Sequence, residues 1–133
     1  MARLLAESFE VLAREQPRAY ARMCTSLENL VVAIQVDEEH FTTEFSSQRA
    51  WVCSAAVGIA ARIRTHRRTI LDVLDNRQAL SGAVLADAVT VVGPLETLLR
   101  LHAGLLIYVQ GAVRCLGFSP LLRRLRDSNV QAV

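Results

Sequence analysis

The spacing of apolar side chains changes twice along this chain, and this change constrains the fold more than any other feature of the sequence. Before residue 27 and after residue 65 apolar residues recur at the three- and four-residue intervals of amphipathic helices. Between residues 30 and 64 they alternate with polar or small residues, as along strands with one buried face. The two periods together predict an α+β protein with helices covering one face of a sheet.

Four strands are predicted between residues 30 and 64. The apolar face of the first two consists of Leu30, Val32, Ile34, Val36, Phe41 and Phe45, with Thr43 among them. The inward residues of the third and fourth are predicted to be Trp51, Cys53 and Ala55, and then Ile59, Ala61 and Ile63, with Arg62 and Arg64 facing water. Polar turns between the strands predict an antiparallel meander.

Helices are predicted over residues 3–13, 17–26, 66–74 and 81–87. Thr65 is the expected N-cap of the third helix, and Asn76 suits the left-handed position that follows it. A short fifth strand over residues 89–92 precedes a long helix that starts at Gly93-Pro94 and is stopped by Gly117. The last helix is predicted to start at Ser119-Pro120.

The long helix, residues 95–113, is apolar in nearly every direction around its axis. Its aliphatic residues are Leu95, Leu98, Leu99, Leu101, Leu105, Leu106, Ile107 and Val109. A single buried stripe cannot account for all of them, and a domain of this size has little room to enclose a helix completely. We therefore expect this helix to border a cavity, or a partner subunit, in addition to the sheet.

Composition narrows the function classes. The chain has 133 residues and a net charge of +2, which is far from the clustered basic face typical of nucleic-acid binding. Three widely spaced cysteines without a CxxC pair indicate neither a disulfide framework nor a zinc site, and they predict a reducing cytoplasm. The apolar stretches are interrupted before the ~18 residues of a membrane span, so no transmembrane segment is predicted and only peripheral membrane contact stays open.

The second half of the chain resembles a known family. Residues 61–127, ARIRTHRRTILDVLDNRQALSGAVLADAVTVVGPLETLLRLHAGLLIYVQGAVRCLGFSPLLRRLRD, contain a strand closing on threonine, an Ile-Leu-Asp helix, a small helix, a Val-rich strand ending in glycine and a Leu-rich helix. This order is similar to that of small bacterial domains of the sterol carrier protein type-2 family. The sequence departs from the family pattern at Asn76, where glycine is usual, and at Pro94 after Gly93.

The resemblance implies one domain over residues 1–133, with N-terminal helices (1–28), a strand meander (29–65), and helices plus a fifth strand (66–133). It implies a twisted five-stranded, mainly antiparallel sheet with helices over one face, enclosing an apolar tunnel that binds sterols, fatty acyl chains or phospholipids without covalent chemistry, cofactor or metal. The candidate ligand contacts are Trp51, Cys53, Ile63, Ile70, Leu74, Leu98, Leu101, Leu105, Tyr108 and Val109.

Two other functions stay open. The same cavity could serve a cyclase, isomerase or dehydratase acting on a lipid-like or polyketide-like substrate, with His102 or His40 as the acid or base. His102 is nevertheless better explained as a hydrogen-bonded core residue, since it lies in an apolar helix. Alternatively, the apolar helix could pack against a second copy in a homodimer.

The basic run RIRTHRR, residues 62–68, is the densest positive patch of the sequence. Beside a cavity mouth it could hold a phosphate or carboxylate head group. The alternative is a solvated strand face, to which Arg62 and Arg64 belong in any case.

Overall fold

The computed structural model describes residues 1–54 and 56–131, which form one mixed sheet with helices packed on one side. The elements in chain order are α1 (Ala2–Glu15), α2 (Pro17–Ser26), β1 (Val31–Val36), β2 (Glu39–Phe45), β3 (Ala50–Cys53), β4 (Ala61–Thr65), α3 (Arg67–Leu74), α4 (Leu80–Leu85), β5 (Thr90–Val92), α5 (Leu95–Ala112) and α6 (Phe118–Gln131). This succession confirms the predicted α+β class. The inward orientation predicted for Ala55 lies outside the described residues, as do positions 132 and 133 of the predicted domain.

The strands lie side by side in the order β3-β2-β1-β4-β5. Three neighbouring pairs are antiparallel, whereas β1 and β4 run parallel, with Ile34 opposite Ile63. The predicted meander is therefore wrong at its last step, because the segment between β3 and β4 returns the chain to the far side of β1. Alternation reports which face a side chain occupies and not which strands are neighbours, so it could not reveal this crossover.

The inner face of the sheet is apolar and carries the helices. Its residues include Val32, Val36, Phe41, Phe45, Ala61 and Ile63, all of them buried. Leu12, Met23 and Leu27 from the first two helices and Leu101 from α5 complete the core. The alternation predicted for β1 and β2, and for β4 from Ala61 onward, is thus confirmed, including the outward, exposed positions of Arg62 and Arg64. The inward position predicted for Ile59 is wrong, because strand pairing starts only at Ala61 and Ile59 is 37% exposed.

Strand β3 is turned the other way from the prediction. Cys53 pairs with Thr42 and Trp51 with Glu44, so Trp51 and Cys53 lie on the outer face while Val52 faces the helices. On that face the Trp51 indole donates a hydrogen bond of 2.9 Å to Glu44. The segment AWVC is apolar at every position, so its own alternation could not distinguish the two faces.

Two predicted helix boundaries, the start of α3 and the end of α5, are wrong, and the left-handed residue predicted after α3 is confirmed. Thr65 belongs to β4, where its hydroxyl donates a hydrogen bond of 2.9 Å to the Ala88 carbonyl, and His66 is the N-cap residue of α3. Asn76 has a φ of 61°, the left-handed conformation predicted after α3. Helix α5 ends at Ala112, before Gly117, because the backbone tightens there into shorter-range hydrogen bonds such as Cys115 N–H to Ala112.

The start points of the last two helices also differ from the prediction. Pro94 is the N-cap of α5 and not its first residue, since it retains an extended ψ of 146°. Helix α6 already begins at Phe118, ahead of the Ser119-Pro120 pair. No helix in the described part of the chain has both the length and the apolarity needed to cross a membrane.

Helix α5 packs tightly against α2 on one side and is uncovered on another. At Gly104 an added Cβ would lie 2.4 Å from Leu27 Cγ, so the approach of the two helices requires glycine. Leu101 is 2% exposed, whereas Leu95 and Leu99 are 72% and 64% exposed. The apolar helix therefore serves the core, the cavity described below and an open surface.

Candidate functional site

An apolar cavity of about 150 Å³ lies between the inner face of the sheet and the helices. Ile34, Phe41 and Ile63 reach it from three neighbouring strands. Its other walls come from the first residues of the chain, α3, α4 and α5, and its full lining is Met1, Leu5, Ile34, Val36, Phe41, Ile63, Thr65, Thr69, Ile70, Val73, Leu74, Leu80, Val89, Leu105, Tyr108 and Val109. The surface so formed is almost entirely apolar, which suits a hydrocarbon guest.

Two smaller cavities adjoin this one. One of about 60 Å³ extends toward Leu101 and α2, and one of about 30 Å³ extends toward α6. Leu5 and Tyr108 line all three cavities, so these two side chains are the partitions between them.

Tyr108 is held in place by a short chain of hydrogen bonds. Its hydroxyl is 2.7 Å from the hydroxyl of Ser8, which in turn donates to the Leu5 carbonyl at 2.6 Å. Edge-to-face contacts with Phe9 and Phe118 fix the ring. Burial raises the pKa of Tyr108 to about 12, so the phenol is neutral at pH 7.

A cluster of charges lies beside Met1 and Thr65, two residues that line the cavity. Arg67, at 11% side-chain exposure, donates to Asp37 at 2.8 Å and also pairs with Glu39. The amino group of Met1 binds Glu39 at 2.9 Å. Glu39 is thereby shared between two cations, and the N-terminal turn of α1 is tied to the start of β2.

The pKa values of both acids reflect this pairing. Burial alone would raise the pKa of Asp37, but hydrogen bonds from His66 and Arg67 bring it below its ordinary value of 3.8. Burial alone would likewise raise the pKa of Glu39, but the Met1 amine and Arg67 bring it below its ordinary value of 4.5. Both carboxyls are therefore ionised at neutral pH, and their ionised state holds the cluster together.

Six of the candidate ligand contacts meet at the main cavity: Ile63, Ile70, Leu74, Leu105, Tyr108 and Val109. Leu101 reaches the adjoining 60 Å³ cavity. Leu98 lines none of these three cavities, and Trp51 and Cys53 lie on the opposite face of the sheet.

The two candidate acid–base histidines are both exposed. His102 lies on the outward side of α5, so the interpretation of it as a core histidine is wrong. The helix is apolar enough to have suggested burial, but its outward side is open to solvent at Leu95 and Leu99 as well. His40 is on the outer face of β2, and neither histidine lines the cavity.

The contributions of α1 and α4 to the cavity were not predicted from the sequence. Leu5 and Leu80 line the cavity, and Leu5 also separates it from its neighbours. Both were visible as apolar residues, but the spacing of apolar residues indicates which of them face inward and not which border empty space. Phe41 and Val89 were missed for the same reason.

The basic run is divided between the two faces of the sheet. Arg67 turns to the charge cluster at the cavity, whereas Arg62 and Arg64 point away from it. The last two therefore cannot reach the head group of a molecule bound in the cavity. Within residues 1–54 and 56–131 no three His, Cys, Asp or Glu side chains form a group that could hold a metal.

The chain is similar to known proteins in its structure but not detectably in its sequence. No family model and no curated protein sequence matches the chain. Among solved structures, "sterol carrier protein 2" aligns over 83% of this chain and 96% of its own with a TM-score of 0.58 at 14% identity. The ubiquinone synthesis protein UbiJ-SCP2 aligns over 74% and 84% with a TM-score of 0.54 at 17% identity.

A sterol carrier protein domain 2 from Helicoverpa armigera also aligns, over 81% of this chain and 87% of its own, with a TM-score of 0.55 at 9% identity. At such low identities the similarity concerns the fold. It confirms, at that level, the resemblance predicted from residues 61–127.

Proposed function

We propose that this chain, which has the sterol carrier protein 2 fold, binds a lipid-like apolar molecule non-covalently in the cavity between its sheet and helices. The observation that carries this proposal is the almost uninterrupted apolar lining of the cavity. Such a surface gains free energy by covering hydrocarbon and offers little to a polar or charged guest. The descriptions of similar structures, sterol carrier proteins among them, support the same ligand class.

The size of the cavity bears on the ligand. Dry apolar cavities of roughly 150 Å³ accept guests about as large as benzene, so the main cavity holds the end of a chain or one ring. A whole fatty acyl chain or sterol needs the adjoining cavities, which open when Leu5 or Tyr108 moves. Burying about ten methylenes would contribute about 8 kcal/mol before the cost of ordering the ligand, which is compatible with micromolar binding.

Carriage accounts for the cavity better than acid–base catalysis does. Among the described side chains of the lining, Tyr108 alone is titratable, and its pKa of about 12 keeps it protonated. His40 and His102 do not reach the cavity. The cytoplasm stays the predicted location, on the spacing of the cysteines alone.

Titration with a series of 1-alkanols, from propanol to tetradecanol, tests the proposal by calorimetry. Alcohols are neutral, so they report on the cavity and not on charged surfaces. We expect affinity to rise about fourfold per methylene until the cavity is full and then to level off. Affinity that does not depend on chain length would contradict an enclosed apolar site.

A matched pair of variants locates the binding. Val109→Phe places a ring in the cavity and is expected to weaken decanol binding at least about tenfold, whereas Val113→Phe adds the same ring at a position 55% exposed. Leu80→Phe fills the cavity from α4 should the first variant fold poorly. Equal affinities in the wild type and both filled variants, each shown folded by circular dichroism, would refute the assignment.

The exposed apolar side of α5 is suited to a protein partner, and we propose that this partner is a second copy of the chain. Leu95, Leu99, Leu106 and Val113 fall within about 40° of one another around the helix axis, and all four are exposed. Glu96 and Arg114 lie on the same flank of this stripe near opposite ends. Antiparallel pairing of two α5 helices would bring each Glu96 to the partner copy's arginine and oppose the helix dipoles.

Sedimentation equilibrium tests this pairing. Leu99→Glu should weaken the dimer at least about tenfold by burying a carboxylate against leucines, whereas Leu85→Glu, at a position on α4 that is 86% exposed, should not. A wild-type protein that stays monomeric at concentrations far above micromolar would dismiss the pairing and leave the cavity proposal untouched.

A further inference from the structure

The outer face of the sheet carries a second depression that the carrier function does not use. It is a groove of about 530 Å³, more than three times the volume of the inner cavity. Its floor is formed by outward side chains of four strands, among them Gln35, His40, Arg62 and Arg64, and its walls include Ile59 and Val92. The one-layer sheet separates this groove from the inner cavity.

Strand register brings the polar residues of the floor into one row. Arg64 is next to Gln35 on one side and Thr90 on the other, and Gln35 is opposite His40. The second row places Arg62 between Ala33 and Val92. Two positions along a strand are about 7 Å apart, so the two guanidinium groups can converge on one ligand.

The positive charge of the groove is not balanced by protein groups. Among the described residues neither Arg62 nor Arg64 takes part in an ion pair or a side-chain hydrogen bond. The acids of the neighbouring strands have other partners: Asp37, two positions after Gln35, pairs with Arg67, and Glu44 accepts hydrogen bonds from Trp51 and Cys53 at 2.9 and 3.5 Å. The residues beside the two arginines on β1 and β5 are uncharged.

The walls of the groove add an apolar component. Ile59 is 37% exposed and Val92 61% exposed, and both line the groove. An inorganic ion would leave these side chains in water, whereas an organic ligand would cover them. A guanidinium pair matches the oxygens of a phosphate in geometry and charge.

We propose that this groove binds an organic phosphate, with its phosphate held by Arg62 and Arg64 and its apolar part against Ile59 and Val92. Gln35 and His40 extend the polar floor toward β2 and contact the ligand's polar substituents. The site lies on the face opposite the cavity, so it can be occupied independently of an apolar guest.

Calorimetric titration with phenyl phosphate tests the proposal. The variant Arg62→Gln/Arg64→Gln is compared with Arg68→Gln/Arg123→Gln, which removes the same charge from exposed positions on α3 and α6. We expect the first pair to raise the dissociation constant at least about tenfold and the second to change it less than about twofold. Inorganic phosphate should bind more weakly than phenyl phosphate, and added salt should weaken both.

Three results would overturn the assignment. They are undetectable binding of phenyl phosphate, equal weakening in both double variants, and amide NMR shifts located away from Gln35, Arg62, Arg64 and Thr90. A further experiment uses phosphatidylglycerol vesicles. If the protein binds these vesicles but not phenyl phosphate, and if only Arg62→Gln/Arg64→Gln loses the binding, the groove is a membrane-contact surface and not a small-molecule site. Decanol affinity serves as the control, since it should be the same in the wild type and in both double variants if the cavity function holds separately.

Discussion

The two faces of the sheet are built by the same strands and have opposite chemistry. On β4, Ile63 points into the apolar cavity while Arg62 and Arg64, one position on either side, point into the groove. The inner face is covered by helices, and the space between them is about 150 Å³, whereas the groove of the outer face is about 530 Å³. A period of two thus allows one strand to serve two surfaces that differ in charge, cover and volume.

The two faces are also expected to differ in how they tolerate substitution. The inner face depends on helices that must keep their positions, since α5 forms both a wall of the cavity and a contact with α2. On the outer face His40, Arg62 and Arg64 are exposed. We therefore expect substitutions toward the cavity to affect folding and those toward the groove to affect binding alone.

The largest expected effect is that of Gly104→Val. The new Cβ would lie within 2.4 to 2.6 Å of three side-chain atoms of Leu27, which is 1% exposed, so this buried side chain must shift. We expect a loss of about 3 kcal/mol in the free energy of unfolding, measured by urea denaturation. Gly82→Val on α4, where the nearest atom is 4.0 Å away, should change it by less than about 0.5 kcal/mol. Similar losses in both variants would show that the surroundings of Gly104 are packed no more tightly than those of Gly82.

Leu5→Ala should have the next largest effect. Removing this partition costs about 2 kcal/mol in stability because the side chain is only partly buried, but it joins the three cavities. We expect the alkanol affinity to level off at a chain two to three methylenes longer, by rough volume. Leu116→Ala, at a position 87% exposed, is the control. An unchanged chain-length limit would mean that Leu5 does not separate the spaces.

Arg67→Met tests the charge cluster beside the cavity. At pH 7 the variant should lose about 1 to 2 kcal/mol, since it leaves two partly buried carboxylates without their guanidinium partner. Arg68→Met, at the exposed next position, should lose almost nothing.

The pH dependence follows from the same cluster. The pKa values of Asp37 and Glu39 are lower in the folded protein than their ordinary 3.8 and 4.5. Their contribution to stability is therefore complete above pH 4.5 and is lost as the pH falls through the folded-state pKa values. The difference between wild type and Arg67→Met should shrink in acid, as followed by urea denaturation at a series of pH values. A difference that persists unchanged at the acid limit would assign Arg67 a packing role.

The fold could be predicted further than the site could. Alternation was sufficient to place Ile63 inward and Arg62 outward, because charged and apolar side chains alternate along β4. It failed for Trp51 and Cys53, which lie among four consecutive apolar residues, and it had no means of detecting the parallel β1–β4 pair.

The cavity was harder to predict because empty space is a property of packing. Leu101 and Leu105 are one helical turn apart and have the same side chain, yet Leu101 fills the core at 2% exposure while Leu105 borders the main cavity. The groove was likewise invisible, since it needs four strands in a register that only the folded chain supplies.

The smallest expected effect gives the sharpest comparison of the two faces. Arg62→Thr/Arg64→Thr replaces two exposed like charges on one strand by a residue with high β-propensity, so the free energy of unfolding should stay within about 0.5 kcal/mol of wild type or rise. Ile63→Thr, on the same strand but 8% exposed and facing Ile34, should cost about 2 kcal/mol. If the arginine variant instead loses more than about 1 kcal/mol, the two guanidinium groups stabilise the sheet, and their presence no longer requires a ligand. A neutral result is what the groove proposal requires, because it shows that the two arginines, which have no ion-pair partner among the described residues, are not needed for folding.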